Sequence, residues 1–138
     1  MKALDTSALL ALLEGDPRLR TLLRRWRGEE IATTEANLLE LTFLAANGTA
    51  RGRTQRLAAL GRLRRRLTVL PIDSRAGEEA GRRVERGGPT PPPSVLGMLA
   101  ALEASGCEEL LTDEPRLLVG KWSFKITKFD RPTIKKRK

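Results

Sequence analysis

Histidine and tyrosine do not occur in this chain of 138 residues, and Cys107 is its single cysteine. The missing histidine excludes a Ser-His-Asp or Cys-His nucleophile pair, a His-based zinc motif and any imidazole acid or base. One cysteine excludes an intrachain disulfide and a multi-cysteine metal cluster, and Cys107 reads as a small buried hydrophobe near a strand. Aromatic residues are sparse, two Trp and three Phe, which leaves little surface for stacking on nucleic-acid bases. The longest apolar run, Ala8 to Leu13, is far short of the roughly 18 residues that would suggest a membrane span. Asp5 also interrupts the apolar N-terminus where a secretory signal needs continuity. A soluble, cytoplasmic protein is the expectation. Amides are rare as well, only Asn37, Asn47 and Gln55, and with many charged residues this points weakly to a thermophilic prokaryotic source.

What remains for chemistry is carboxylate. Asp and Glu oxygens hold hard cations such as Mg²⁺ or Mn²⁺, and a bound cation activates water. The net charge is nevertheless +9, so the acids sit in a basic molecule, and the two signs are segregated. Pro17 to Arg27 has five Arg and no acid, and Arg51 to Arg66 has seven Arg and no acid. Lys121 to Lys138 has eight basic residues against Asp130 alone. Such a mosaic is expected where basic surfaces track phosphates and a separate acidic cluster holds a cation. The plainer alternative is that arginines coat solvated helix faces. The segment Arg51 to Arg66 is the first candidate for nucleic-acid contact, through Arg51, Arg53, Arg56, Arg62, Arg64, Arg65 and Arg66.

The length suits one domain with a real core. Along it, strands and helices alternate. Lys2 to Asp5, Glu30 to Thr33, Leu67 to Ile72 and Glu109 to Thr112 read as strands. Helices are expected over Ser7 to Leu13, Pro17 to Trp26 with proline in the first turn, a stretch capped by Thr34, the amphipathic Arg51 to Arg66, Ser74 to Glu85, and Ser94 to Ala104. Gly87 to Pro93 is a stiff proline-rich loop, Pro115 begins a helical turn, and the alternation of Trp122, Phe124 and Ile126 suggests an edge strand. The folded unit is expected over residues 1–120, with 121–138 an edge strand and a basic, mobile tail. Strands separated by helices imply a parallel sheet covered on both faces.

Parallel strands bring their carboxyl ends to one rim, where ligands bind in such sheets. Asp5 ends the first strand, and Asp113 and Glu114 end the one formed by Glu109 to Thr112, so these acids could share a cation. Glu40 sits in a leucine-rich helical stretch, where an unpaired carboxylate is costly unless a metal or an arginine faces it. Structural alternatives stand beside each role. Asp5 could cap the first helix, Asp113 could cap the turn at Pro115, and Glu40 could pair with Arg51 or Arg53.

The opening Leu4-Asp5-Thr6-Ser7-Ala8-Leu9-Leu10, the segment Leu38-Leu39-Glu40-Leu41 and the segment from Leu110 to Leu117, LLTDEPRL, resemble the PIN domain in order and spacing, to about Leu118. The resemblance implies a Rossmann-like three-layer α/β/α sandwich with a central, mostly parallel sheet. It further implies three or four acids binding Mg²⁺ or Mn²⁺, and hydrolysis of phosphodiesters, usually in RNA. Many small prokaryotic members resemble VapC, the toxin of a toxin–antitoxin pair, and commonly form homodimers, so RNA, an antitoxin protein and a second copy are the implied partners. Carried over by position, Asp5 is the first acid, Glu40 the second, and Glu114, or its neighbour Asp113, the fourth. The third departs from the pattern: counting back from Ala101-Leu102-Glu103 puts Ser94 there, a poorer ligand than a carboxylate and better suited to capping its helix. A PIN fold that lost its catalytic site and only binds RNA or protein is therefore the competing expectation.

Overall fold

The computed structural model describes residues 1–47 and 50–130. The expected mobile tail after Asp130 and the side chain of Arg51 lie outside the described residues.

Five strands form one sheet: β1 (Lys2–Leu4), β2 (Ile31–Thr34), β3 (Thr68–Leu70), β4 (Glu109–Thr112) and β5 (Lys125–Lys128). Their order is β3-β2-β1-β4-β5, and every neighbouring pair is parallel. The helices are α1 (Thr6–Leu13), α2 (Pro17–Arg25), α3 (Glu35–Ala46), α4 (Ala50–Arg64), α5 (Ser74–Arg86) and α6 (Pro93–Ala104), with a 3₁₀ turn at Pro115–Leu117. This is the α/β sandwich expected from the alternation of strands and helices.

Because helices cover both faces, consecutive strand residues are buried on opposite sides. Leu4 and Leu111 pack into a core with Ala8, Leu9, Leu19 and Leu41 on one face. Their chain neighbours Ala3 and Leu110 pack with Leu99, Leu102 and Phe124 on the other. Cys107 is buried in this second core, as a small hydrophobe would be.

Local chemistry sets the helix starts. Asp16 accepts the N–H of Arg18 at 2.9 Å and Pro17 opens α2, while Asp73 accepts the N–H groups of Arg75 and Ala76 at 3.1 and 3.3 Å to open α5. Such caps satisfy N–H groups that have no partner inside the helix. Thr34 caps α3 as expected, its hydroxyl accepting the N–H of Asn37 at 3.3 Å.

Ser94 does not cap α6. The helix begins one residue earlier, at Pro93, with Pro92 at the cap position and no side-chain cap bond. Proline carries no N–H and has its φ already set for a first helical turn, so two prolines in succession start the helix without help from the serine. Ser94 is left exposed in the first turn.

Candidate active site

Leu4 pairs in register with Leu111, so β1 and β4 end level with each other. The N–H of Asp5 continues the ladder by donating to the carbonyl of Leu111 at 3.3 Å. Asp5 therefore leaves the sheet beside the turn that carries Asp113, and one hydroxyl spans the two. Ser7 Oγ donates to Asp5 Oδ1 at 2.6 Å and accepts the N–H of Asp113 at 3.0 Å. Asp5 Oδ1 also accepts the N–H of Ala8 at 3.0 Å and so caps α1. The helix-cap alternative for Asp5 thus holds, and it is compatible with a role at the rim, because one oxygen caps while the carboxylate still feels the charge of Asp113.

Burial pushes the Asp5 carboxyl above the usual aspartate range. The hydroxyls of Ser7 and Thr112 and the N–H of Ala8 draw it back down, and the negative charge of Asp113 raises it further. A bound cation would offset the charge that burial and Asp113 disfavour on Asp5.

The other expected acids stand apart from this pair. Glu114 is turned to Arg116, which donates to its two oxygens at 2.8 and 3.4 Å, and this contact holds its carboxyl below the usual range. Glu40 is exposed on α3, whose buried side chains are Asn37, Leu38, Leu41 and Ala45. The leucine-rich stretch is not uniformly buried, for Leu39 and Phe43 are 62% and 68% exposed. Glu40 therefore sits in water and has no need of a charged partner. Among the described residues, no three His, Cys, Asp or Glu side chains form a group that could hold a metal ion.

Asn37 is the site-adjacent residue that sequence reasoning missed. Its side-chain N–H groups donate to Thr6 Oγ1 at 3.1 Å and Met98 Sδ at 3.2 Å, and its carbonyl oxygen accepts from Thr34 Oγ1 at 2.7 Å. It thereby ties β2 and α6 to the first residue of α1, next to Asp5. The signal was available: Asn37 stands three residues after the cap Thr34, one of three amides in the chain, where a capping pair reaches back.

The arginines expected to meet nucleic acid divide by surroundings. Arg53, Arg62, Arg64, Arg65 and Arg66 are exposed. Arg56 is instead committed to the α3–α4 connection, donating to the carbonyl of Ala45 at 2.9 Å and to that of Asn47. Arg62 and Arg66 turn with Arg20, Arg24 and Arg27 of the α2 region into a groove of about 880 Å³, floored by Leu12, Leu23, Leu63 and Leu67.

The PIN domain profile matches residues 2–119. The chain belongs to the PIN domain family. No curated protein sequence matches it. Among solved structures, the VapBC2 complex of Rickettsia felis bound to promoter DNA superposes with a TM-score of 0.76 at 15% identity, covering 94% of this chain and 98% of that one. VapBC-5 of Mycobacterium tuberculosis, a toxin–antitoxin system, gives 0.64 at 26% identity over 93% and 98%. VapC20 of the same organism, a toxin that cleaves the sarcin–ricin loop, gives 0.57 at 23% over 80% and 87%. The PIN fold thus extends over nearly the whole chain, and its structural neighbours are VapC proteins.

Whether this PIN domain suits the divalent cation of its family turns on its donors. Mg²⁺ keeps several waters and takes one or two carboxylates together with substrate phosphate oxygens. Asp5 and Asp113, adjacent on one rim and joined through Ser7, fit that requirement. A cage of three or four carboxylates is not assembled among the described residues.

Proposed function

We propose that this PIN domain is the toxin of a toxin–antitoxin pair and hydrolyses RNA phosphodiester bonds at the rim shared by Asp5 and Asp113. The observation that carries the reading is the Ser7 bridge, which ties the Asp5 carboxylate to the backbone N–H of Asp113 at the ends of adjacent parallel strands in a fold whose neighbours are VapC proteins. Asp5 and Asp113 would hold Mg²⁺ or Mn²⁺, which when bound supplies hydroxide near neutral pH and offsets charge developing on the phosphate. Ser7 and Thr112 orient Asp5 through their hydroxyls. The exposed arginines of α4 contact the RNA backbone without reading bases. With few aromatic residues to stack on, selectivity comes from RNA shape.

The partner reading follows from the groove between α2 and α4. An apolar floor and five arginines suit an acidic amphipathic helix, the form an antitoxin segment would take. A second copy of the chain would cover the exposed Leu39 and Phe43 of α3, since a face of that kind on a soluble domain marks a contact site.

Ser94 in the position of the third family acid favours a second reading, a PIN domain that binds RNA or its partner without cutting. Mn²⁺ titration by calorimetry on the intact protein and on Asp5→Asn, followed by RNA cleavage in the same buffer, separates the two. Metal binding lost in Asp5→Asn, with metal-dependent cleavage by the intact protein, is expected. No binding up to millimolar Mn²⁺ would overturn the nuclease in favour of the binding module.

A further inference from the structure

A second cavity, of about 320 Å³, shares no lining residue with the Asp5 rim and lies between the C-terminus of α5, the proline-rich loop and the segment before β5. Its apolar lining is Pro89, Pro91, Leu96 and Trp122. Three cations stand around it, Arg83, Arg86 and Lys121. They are not equivalent. Arg83 is matched by Glu79 at 3.2 Å and Glu103 at 2.9 Å, donates to the carbonyl of Lys121, and lies 4.0 Å over the Trp122 ring. Its charge is offset and its position fixed, so it serves as wall. Arg86 and Lys121 are exposed and make no ion pair among the described residues.

The cavity is also a shaped one. Gly120 has φ +108°, and a Cβ there would meet Trp122 Nε1 at 3.3 Å and the carbonyl of Pro89 at 3.9 Å. That φ strains any L side chain and a Cβ would press on the Trp122 indole, so glycine is what this turn of the wall requires. Trp122 is held by donating its Nε1–H to the carbonyl of Val119 at 3.2 Å and by stacking on Phe124, with ring centroids 6.0 Å apart.

We propose that this cavity binds one nucleotide of single-stranded RNA, the base lying against the proline rings and the Trp122 edge and the flanking phosphates meeting Arg86 and Lys121. An apolar pocket with two cations at its mouth that make no ion pair among the described residues suits a base and its flanking phosphates, and the volume is at the lower end of small-ligand sites. Pro91 stands three residues before Ser94, and Leu96 also lines the cavity, so the cavity adjoins the first turn of α6. Met98, one turn further, contacts Asn37 beside Thr6. The cavity would therefore hold a strand at a fixed offset from the Asp5 rim. The choice of RNA rests on the toxin reading.

The chain offers its own reporter. Trp26 and Trp122 are its two indoles, so Trp26→Phe leaves Trp122 alone in the cavity wall. In a protein carrying Asp5→Asn and Trp26→Phe, Trp122 emission is followed while a single-stranded RNA hexamer is added. Saturable quenching is expected, weakened in Arg86→Ala with Lys121→Ala, which should also lower the slope of log affinity against log salt by about 1.4 for two lost phosphate contacts. Unchanged emission, or quenching that survives both substitutions, overturns the proposal. So does equal quenching by inorganic phosphate or by a polyglutamate peptide, since either would make the cavity an anion or peptide site. The toxin reading is judged separately on the protein with Asp5 intact: cleavage without a Trp122 response removes the cavity alone, and a Trp122 response without cleavage removes the nuclease alone.

Discussion

Asp5 carries two duties that oppose each other energetically. As cap of α1 it stabilises the fold, and as a half-buried carboxylate facing Asp113 it destabilises it. Burial and then Asp113 raise its pKa, so the folded protein holds the Asp5 proton more tightly than the unfolded chain does. The stabilising contribution is present in full below the ordinary aspartate pKa and is lost as pH rises through the raised one. At neutral pH, without metal, Asp5 therefore lowers stability. Asn keeps an oxygen to accept from Ala8 and Ser7 and carries no charge. Thermal melts in chelator should give Asp5→Asn a higher Tm than the parent at pH 7 and a difference that vanishes near pH 3. An Asn variant no more stable than the parent at pH 7 would contradict the electrostatic account. Sequence reasoning reached Asp5 because its position follows from a local pattern, apolar residues, an acid, then a helical run. It could not resolve Glu40, since neighbouring Leu39 and Leu41 read alike while one is exposed and the other buried.

Between elements, Ser7 is the contact that ties the Asp5 carboxylate to the backbone of Asp113. Its hydroxyl belongs to α1, its donor goes to the residue closing β1, and its acceptor takes the N–H of the residue closing β4. Supporting hydrogen bonds of this kind typically change metal affinity or activity by about 10- to 100-fold when removed. Ser7→Ala should lose activity in that range while Mn²⁺ affinity falls in parallel, and Ser7→Thr, which keeps the hydroxyl, should restore both. Full activity in the alanine variant would show that the bridge positions nothing. The same scale shows which elements were legible. β4 was found at its observed bounds because Leu110 and Leu111 are buried on opposite faces and polar residues flank them. The start of α6 was misplaced by one residue, and Ser94 with it, because serine is the common cap and proline seldom occupies that position. Asn37 was missed because its partners lie on other elements: Thr6 is 31 residues away and Met98 is 61.

At the scale of the whole molecule, charge runs far apart in sequence become a single surface. The arginines of the α2 region and those of α4 read as two separate basic stretches, and the fold turns Arg20, Arg24, Arg27, Arg62 and Arg66 toward one groove with leucines beneath. Nothing in either stretch alone announces that arrangement, because it depends on both helices packing against α1, with Leu19 and Leu60 in the same core. Nor does local pattern fix the strand order β3-β2-β1-β4-β5, which is what sets β1 beside β4 and their acids together. Five like charges around an apolar floor repel one another, and the acidic partner proposed for this groove would relieve that repulsion as it buried the leucines. The partner should consequently associate fast at low salt and more slowly as salt screens the attraction. A helical peptide with glutamates on one face and leucines on the other should bind the intact protein, and Arg24→Glu with Arg62→Glu should slow its association by about tenfold at low ionic strength. The effect should shrink at high salt, where the apolar contact is left to hold the complex. Stopped-flow association over a salt series measures both, and an on-rate indifferent to salt and to the two charge reversals would place the partner elsewhere on the molecule.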